Sequence, residues 1–132
     1  MGDVRVSRAT RVFGQTAEAA AERYLRRKGY RILERNARSR YGELDLIAQV
    51  DNVVVFIEVK ARRTSAFGGA PYAVDARKQA RLIRLAAGYL SRHGLTDQPC
   101  RFDVVLCMGK PEAATIEHIE SAFEVPGGEP RW

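Results

Sequence analysis

The amino-acid sequence predicts an α/β protein, a mixed sheet with helices packed on it. Three observations lead there. Residues 41–50 and 53–61 read as two strands flanking Asp51-Asn52, residues 14–28 and 75–93 carry apolar side chains at helical spacing, and an apolar run over 101–108 follows the second helix. The order is therefore helix, strand, strand, strand, helix, strand and one final element, without internal repeats or a domain boundary.

Residues 1–12 are polar and basic without a clear period and read as a flexible arm. From Gly14 to about Lys28, Ala17, Ala21, Tyr24 and Leu25 fall on one helical stripe, and Lys28-Gly29 ends it with a cation in the last turn and glycine just beyond. Tyr30 to Ala37 alternates as a short strand through Ile32 and Leu33, and Arg38-Ser39-Arg40 turns the chain. Asp and Asn tolerate positive φ, so Asp51-Asn52 suits a two-residue hairpin turn. Residues 62–74 lack periodicity and contain Gly68-Gly69 and Pro71. A loop that long in a compact domain is usually functional. Asp75 is a suitable N-cap for a helix reaching about His93, with Gly94 at C′ and Leu82, Ile83, Ala86, Ala87, Tyr89 and Leu90 on its apolar side. Phe102, Val104, Leu106 and Met108 share one side of the next strand, and Gly109-Lys110-Pro111 breaks it. Thr115 to Val125 fits a strand or a short helix, with strand preferred. The expected organisation is an arm over 1–12, one domain over 13–125 and a disordered tail over 126–132.

A length of 132 residues suffices for one domain with a real core. The longest apolar runs fall far short of the ~20 residues of a membrane span. Met1-Gly2-Asp3-Val4-Arg5 lacks the apolar segment of a secretory signal, so the expected location is cytoplasmic, with no membrane partner. Cys100 and Cys107 are too few for a disulfide framework; their odd separation on one strand puts them on opposite faces as plain thiols. The net charge of +6, carried mostly by arginine, favours an anionic partner, nucleic acid first.

With Asp51-Asn52 as the whole turn, Asp45 faces Glu58 and Glu43 faces Lys60. Those four side chains share one face of the ribbon, because strand side chains alternate. The other face, Leu44, Leu46, Ala48, Val50, Val53, Val55, Ile57 and Val59, is entirely apolar. The ordinary reading is a Glu43–Lys60 cross-strand ion pair beside half-exposed acids. Ile47, Val54 and Phe56 lie on the acidic face too, so that face is partly covered. Opposed carboxylates about 4.5–5.5 Å apart at Cβ are then expensive without a cation. Setting Ala17 at 0° and advancing about 100° per residue, Glu18 lies near 100° and Leu25 near 80°, so Glu18 borders the buried stripe and can add a third carboxylate.

Phosphodiester hydrolysis with a metal needs hard oxygen ligands, an activated water and a cation near the phosphate. Asp45, Glu58 and the Val59 carbonyl fit the first need, and Lys60, on the same face as Glu58, fits the third. Arg62, Arg63, Arg77, Lys78, Arg81 and Arg84 are candidate phosphate contacts; taken alone, the helical arginines read equally as a solvated face. His93 suits its helix dipole, and His118 has no companion at metal spacing. A glycosidase built on the paired carboxylates would leave Lys60 without a role.

An Asp on one strand, Glu-x-Lys on the next and an upstream helical Glu resemble the PD-(D/E)xK restriction-endonuclease-like nuclease superfamily. More narrowly, the chain is similar to the bacterial YraN family, itself similar to archaeal Holliday-junction resolvases. The matching pieces are Gly14 to Glu18, Gly42 to Ile47, Phe56 to Lys60 and the helix from Asp75, spanning about residues 13–108. One departure is Leu44, where the pattern has Pro. The resemblance implies a restriction-endonuclease-like αβββαβ core, a mixed sheet flanked by helices. It also implies Glu18, Asp45 and Glu58 as carboxylate ligands of Mg2+ or Mn2+, Lys60 as the catalytic lysine, and a homodimer. The expected function is a metal-dependent endonuclease acting on branched or damaged DNA. The alternative is a nucleic-acid-binding module that keeps the fold without the chemistry.

Overall fold

A computed structural model describes residues 8–62, 74–109, 113 and 115–123, with the side chains of 8–16 and of Arg62 excepted. Its elements are α1 (Arg8–Arg27), β1 (Arg31–Ser39), β2 (Gly42–Val50), β3 (Val53–Arg62), α2 (Ala76–Arg92), β4 (Cys100–Met108) and β5 (Thr115–Ile119). This is the expected αβββαβ order with one short strand added. The sheet runs β1-β2-β3-β4-β5, and only β3 and β4 are parallel. Parallel neighbours need a crossover, and α2 supplies it.

Local signals set most boundaries. Asp51 and Asn52 both adopt positive φ, 48° and 64°, as a two-residue turn matched to strand twist requires. Asp75 accepts a hydrogen bond from the Lys78 N–H at 2.8 Å and caps α2, and Gly94 (φ 66°) follows its end. The last element is a strand, shorter than expected. The first helix starts at Arg8, so residues 8–12 are helical and do not belong to an arm. They contain neither Gly nor Pro, and extending an existing helix gains one hydrogen bond per residue fixed. Of the expected loop over 62–74, Arg62 closes β3 and Val74 joins the α2 layer; residues 63–73, Arg63 among them, and the expected tail over 126–132 lie outside the described residues.

Both faces of the sheet are covered. On one, Ile47, Val54, Phe56, Phe102, Val104 and Leu106 pack against Leu82, Leu85, Ala86, Tyr89 and Leu90 of α2. Phe56 anchors this layer, stacked on Phe102 with centroids 5.4 Å apart and edge-on to Tyr89 at 6.0 Å. On the other face, Leu46, Ala48, Val55, Ile57 and Val105 pack against Ala17, Ala21 and Leu25 of α1. Cys100 and Cys107 are buried free thiols in opposite layers.

The β2–β3 register is the one the turn dictates, Leu46 opposite Ile57 through Val50 opposite Val53. That ladder ends at Leu46, however. The Asp45–Glu58 and Glu43–Lys60 pairs lie beyond it. Glu43 instead faces Arg38 of β1, which holds it at 3.3 Å, so the expected facing of Glu43 and Lys60 is replaced. The reason is local. Leu44 joins the α2 layer and Leu46 the α1 layer, although residues two apart on a regular strand share a face. Alternation therefore breaks at Asp45, between the two layers, where β2 parts from β3.

Candidate active site

Asp45 occupies the point where β2 leaves β3. Its Oδ2 accepts a hydrogen bond from the Val59 N–H at 2.7 Å. A β3 donor that β2's backbone no longer reaches is thereby satisfied, as a covered N–H must be. The N–H and C=O of one extended residue point to the same side, so the Val59 carbonyl faces the Asp45 side as well.

Three carboxylates surround this point in different electrostatic states. Glu18, on α1, has its pKa pushed up to about 7, first by burial, then by the charge of Asp45 and by the hydrogen bond it donates to Asp45; Glu43 adds to the rise. Burial also raises the pKa of Asp45. The Val59 N–H and the Glu18 hydrogen bond oppose that rise, while the Glu58 charge adds to it. These two acids share a proton and titrate as a pair. Glu58 behaves otherwise. Burial pushes its pKa up, yet the ammonium groups of Lys78 and Lys60 outweigh burial and hold it below the usual value. Lys78 Nζ lies 2.6 and 2.7 Å from the two Glu58 oxygens, and Lys60 Nζ lies 2.9 Å from Oε2.

Glu18, Asp45, Glu58 and Lys60 thus converge on one end of the β2–β3 pair, Glu18 from the α1 side and Lys78 of α2 from the face that Glu58 and Lys60 share. Arg77, Arg81 and Arg84 are exposed on α2, and Arg62 ends β3. Gln79 donates to the Val74 carbonyl at 2.6 Å and secures the start of α2. His93 lies at the C-cap of α2, stacked on Tyr89 at 4.0 Å.

A hard divalent cation suits part of this set. Glu18 and Asp45 are brought together at a cost that a cation would remove, and the Val59 carbonyl is an oxygen donor of the right kind. Glu58 is held by two lysines and would have to exchange Lys78 for the ion. Among the described residues, no group of three or more His, Cys, Asp or Glu forms a ready-made ion cage.

The pair also makes stability depend on pH. A carboxyl with a raised folded pKa takes up a proton on folding. Its stabilising contribution is complete below about 4.5 and is lost as pH rises through about 7. The metal-free protein is expected to melt at lower temperature at pH 8 than at pH 5.5, and Glu18→Gln should flatten that slope. A thermal melt series at constant ionic strength, with chelator present, checks this; an unchanged slope in the variant rejects the shared proton.

Two features escaped the sequence. Asp103, on β4, is fully buried and organises a polar network. It accepts from Arg101 Nε at 3.0 Å, from an Arg101 terminal nitrogen at 3.1 Å, from the Ser121 N–H at 3.0 Å and from His118 Nε2 at 2.7 Å. Lys28 donates to His118 Nδ1 at 2.8 Å, which leaves the imidazole hydrogen on Nε2. Arg101 also donates to the Tyr30 hydroxyl. The signal was an Asp inside the apolar run from Phe102 to Leu106, where a charge is kept only with partners. The second feature is Tyr41, in the β1–β2 turn. Arg40 and Arg84 lie 5.3 and 5.9 Å from its ring. Its signal was an aromatic set among Arg38, Arg40 and Gly42.

A family model described as "Uncharacterised protein family UPF0102" matches residues 17–107. UPF0102 proteins of Myxococcus xanthus and Magnetococcus marinus are 40% and 47% identical over 114 residues, covering 86% of this chain and 90% and 92% of theirs. That of Symbiobacterium thermophilum is 53% identical over 96 residues, 73% of this chain and 81% of its own. The solved structure of Pyrococcus furiosus SfsA in complex with Ca2+ aligns at a TM-score of 0.39 and 18% identity, over 88% of this chain and 65% of that one. A likeness that distant carries no conclusion about fold or function.

Proposed function

This chain belongs to the uncharacterised protein family UPF0102, and from its own site we propose that the Glu18–Asp45–Glu58–Lys60 constellation is that of a metal-dependent endonuclease acting on branched or damaged DNA. The observation that carries the reading is the Asp45 carboxylate, anchored by the Val59 N–H at 2.7 Å beside the carboxyls of Glu18 and Glu58. Two acids forced together at a strand junction are costly for folding alone and useful for holding Mg2+ or Mn2+. The donors would be Glu18, Asp45, the Val59 carbonyl and, once parted from Lys78, Glu58. When bound, such an ion supplies charge neutralisation and a more acidic water.

The remaining work falls to the chain's own residues. Lys60, about one third exposed, carries a fixed positive charge beside Glu58 and is placed to hold a non-bridging phosphate oxygen or the attacking water. Arg77, Arg81 and Arg84 face solvent and offer contacts to the DNA backbone on either side of the cut. Water forms the new P–O bond and gives up a proton, the old ester bond breaks, and the leaving oxygen takes up a proton, so that one water is consumed per cut.

The test is cleavage of dye-labelled junction, flap and duplex DNA with Mg2+ or Mn2+, comparing wild type with Lys60→Ala. Cutting is expected on branched substrates, with at least about a hundredfold loss in the variant, the scale for removing one transition-state contact. Equal cutting by both proteins rejects the assignment.

One observation favours a second reading, a binding module without chemistry: both oxygens of Glu58 contact lysine. That reading predicts salt-dependent DNA binding and no cutting by wild type with either metal.

A further inference from the structure

The β1–β2 turn and α2 flank an open surface pocket of about 140 Å3 lined by Tyr41, Gly42, Glu43, Lys78, Arg81, Leu82 and Leu85. A water molecule's share of liquid is about 30 Å3, so the space admits a group of several atoms. The turn is held in place: the Tyr41 N–H donates to Ser39 Oγ at 3.0 Å, and Arg38 binds Glu43. Tyr41 is half-buried, with two guanidinium groups in cation–π range of its ring. Among the described residues, no carboxylate pairs with Arg40, Arg81 or Arg84. The site therefore combines an aromatic face, two apolar side chains and a surplus of positive charge.

That combination has a chemical complement. A nucleobase offers a flat π surface and edges that take hydrogen bonds, and the phosphates beside it are anionic. Inside a duplex the base faces are covered by their neighbours, so a recessed ring can be reached only by a base out of the stack. Lys78 settles where that base lies relative to the cut. Its side chain lines the pocket and also contacts Glu58 at 2.6 Å. A nucleotide seated on Tyr41 puts its own phosphate next to Lys78 and hence next to the candidate metal carboxylates.

We infer that Tyr41, flanked by Arg40, Arg81 and Arg84, is a stacking platform that takes one unpaired base of the DNA substrate. This rests on the nuclease reading for its DNA partner and adds to it: the branched or damaged site is recognised through an extruded base. Tyr41 is then a specificity-determining residue and not a catalytic one.

The test is fluorescence anisotropy with chelator present, so that binding is read without cleavage. The probes are a duplex, the same duplex with a single-base bulge, and the same bulge made abasic. Wild type is expected to bind the bulge roughly tenfold more tightly than either control, within the range for stacking one base on an aromatic side chain. Tyr41→Leu should bind all three alike, while Tyr41→Phe, which keeps the ring, should keep the preference. Arg84→Gln should weaken all three together and reduce their salt dependence. A melt of each variant shows that it folds. The inference is overturned if the abasic bulge binds as tightly as the intact one, if Tyr41→Leu keeps the preference, or if no probe binds. Its failure is separable from that of the nuclease reading. A protein that prefers the bulge yet cuts nothing with Mg2+ or Mn2+ retires the nuclease alone. One that cuts without preference retires the platform alone.

Discussion

Asp103→Ala is expected to destabilise the protein by about 3–5 kcal/mol, the scale for removing one partner of a buried charge pair. The side chain of Asp103 is fully buried and accepts four hydrogen bonds from three residues. Alanine leaves the Arg101 guanidinium, the Ser121 N–H and His118 Nε2 without their acceptor. His118 in particular loses its partner in a place that water barely reaches. The Ser121 bond also ties the segment after β5 back to β4, so the edge strand should loosen as well. For a chain of this size the loss corresponds to a fall in Tm on the order of 10 °C or more. Asp103→Asn should cost less, since it keeps the shape and one acceptor oxygen but presents an N–H2 to donors. Burial pushes the Asp103 pKa up, but His118, Arg101 and the Ser121 N–H bring it below the ordinary value of 3.8. A group with a lowered folded pKa stabilises above that ordinary value and loses its contribution as pH falls through the folded one. The gap between wild type and Asp103→Ala should therefore hold at neutral pH and narrow only in acid. Urea unfolding at pH 7 and pH 3 measures it; a loss under 1 kcal/mol at pH 7 shows that the network is not what holds β4 to its surroundings.

Asp45→Asn should have opposite effects on activity and on the metal-free protein. Asparagine is nearly the same shape, and its side-chain oxygen can still accept from the Val59 N–H, so the strand junction should survive. The substitution removes the charge that raises the pKa of Glu18 and the repulsion with Glu58. The metal-free variant is expected to be at least as stable as wild type at pH 8, with a flatter pH profile. Metal-dependent cleavage should fall by about a hundredfold or more, because the proposed carboxylate ligand is removed and a carboxamide is a poorer partner for a hard cation. A divalent ion that binds only the folded protein raises the wild-type Tm with concentration, and this rise should vanish in the variant. If wild type and Asp45→Asn respond equally to Mg2+ and Mn2+ in melting and in cleavage, Asp45 is not a ligand.

Much of this architecture was legible because its determinants are local. The Asp51-Asn52 turn needs only residues that accept positive φ, and once placed it fixes the β2–β3 register by counting. The Asp75 cap and Gly94 stop bracket α2 for equally local reasons. Glu18 was placed by its angle on the helix, and it meets Asp45. What counting could not deliver was the fate of the ladder beyond Leu46, since regular alternation gives no hint that Leu44 and Leu46 go to opposite layers. That choice is made by two helices competing for the same strand. The Glu43–Lys60 expectation failed for the same reason, because β1 offered Arg38 as a partner from the other side.

The chain by itself determined the order of elements and the hairpin register as far as Leu46, for these follow from spacing and from turn and cap chemistry within a few residues. The tertiary structure alone decided that Asp45 sits between layers, that Lys78 crosses to Glu58, that Asp103 gathers His118 and Arg101, and that Tyr41 lines a pocket against α2. Each of those joins residues far apart in sequence, and the burial and charge that give them their chemistry arise only when separate elements pack together.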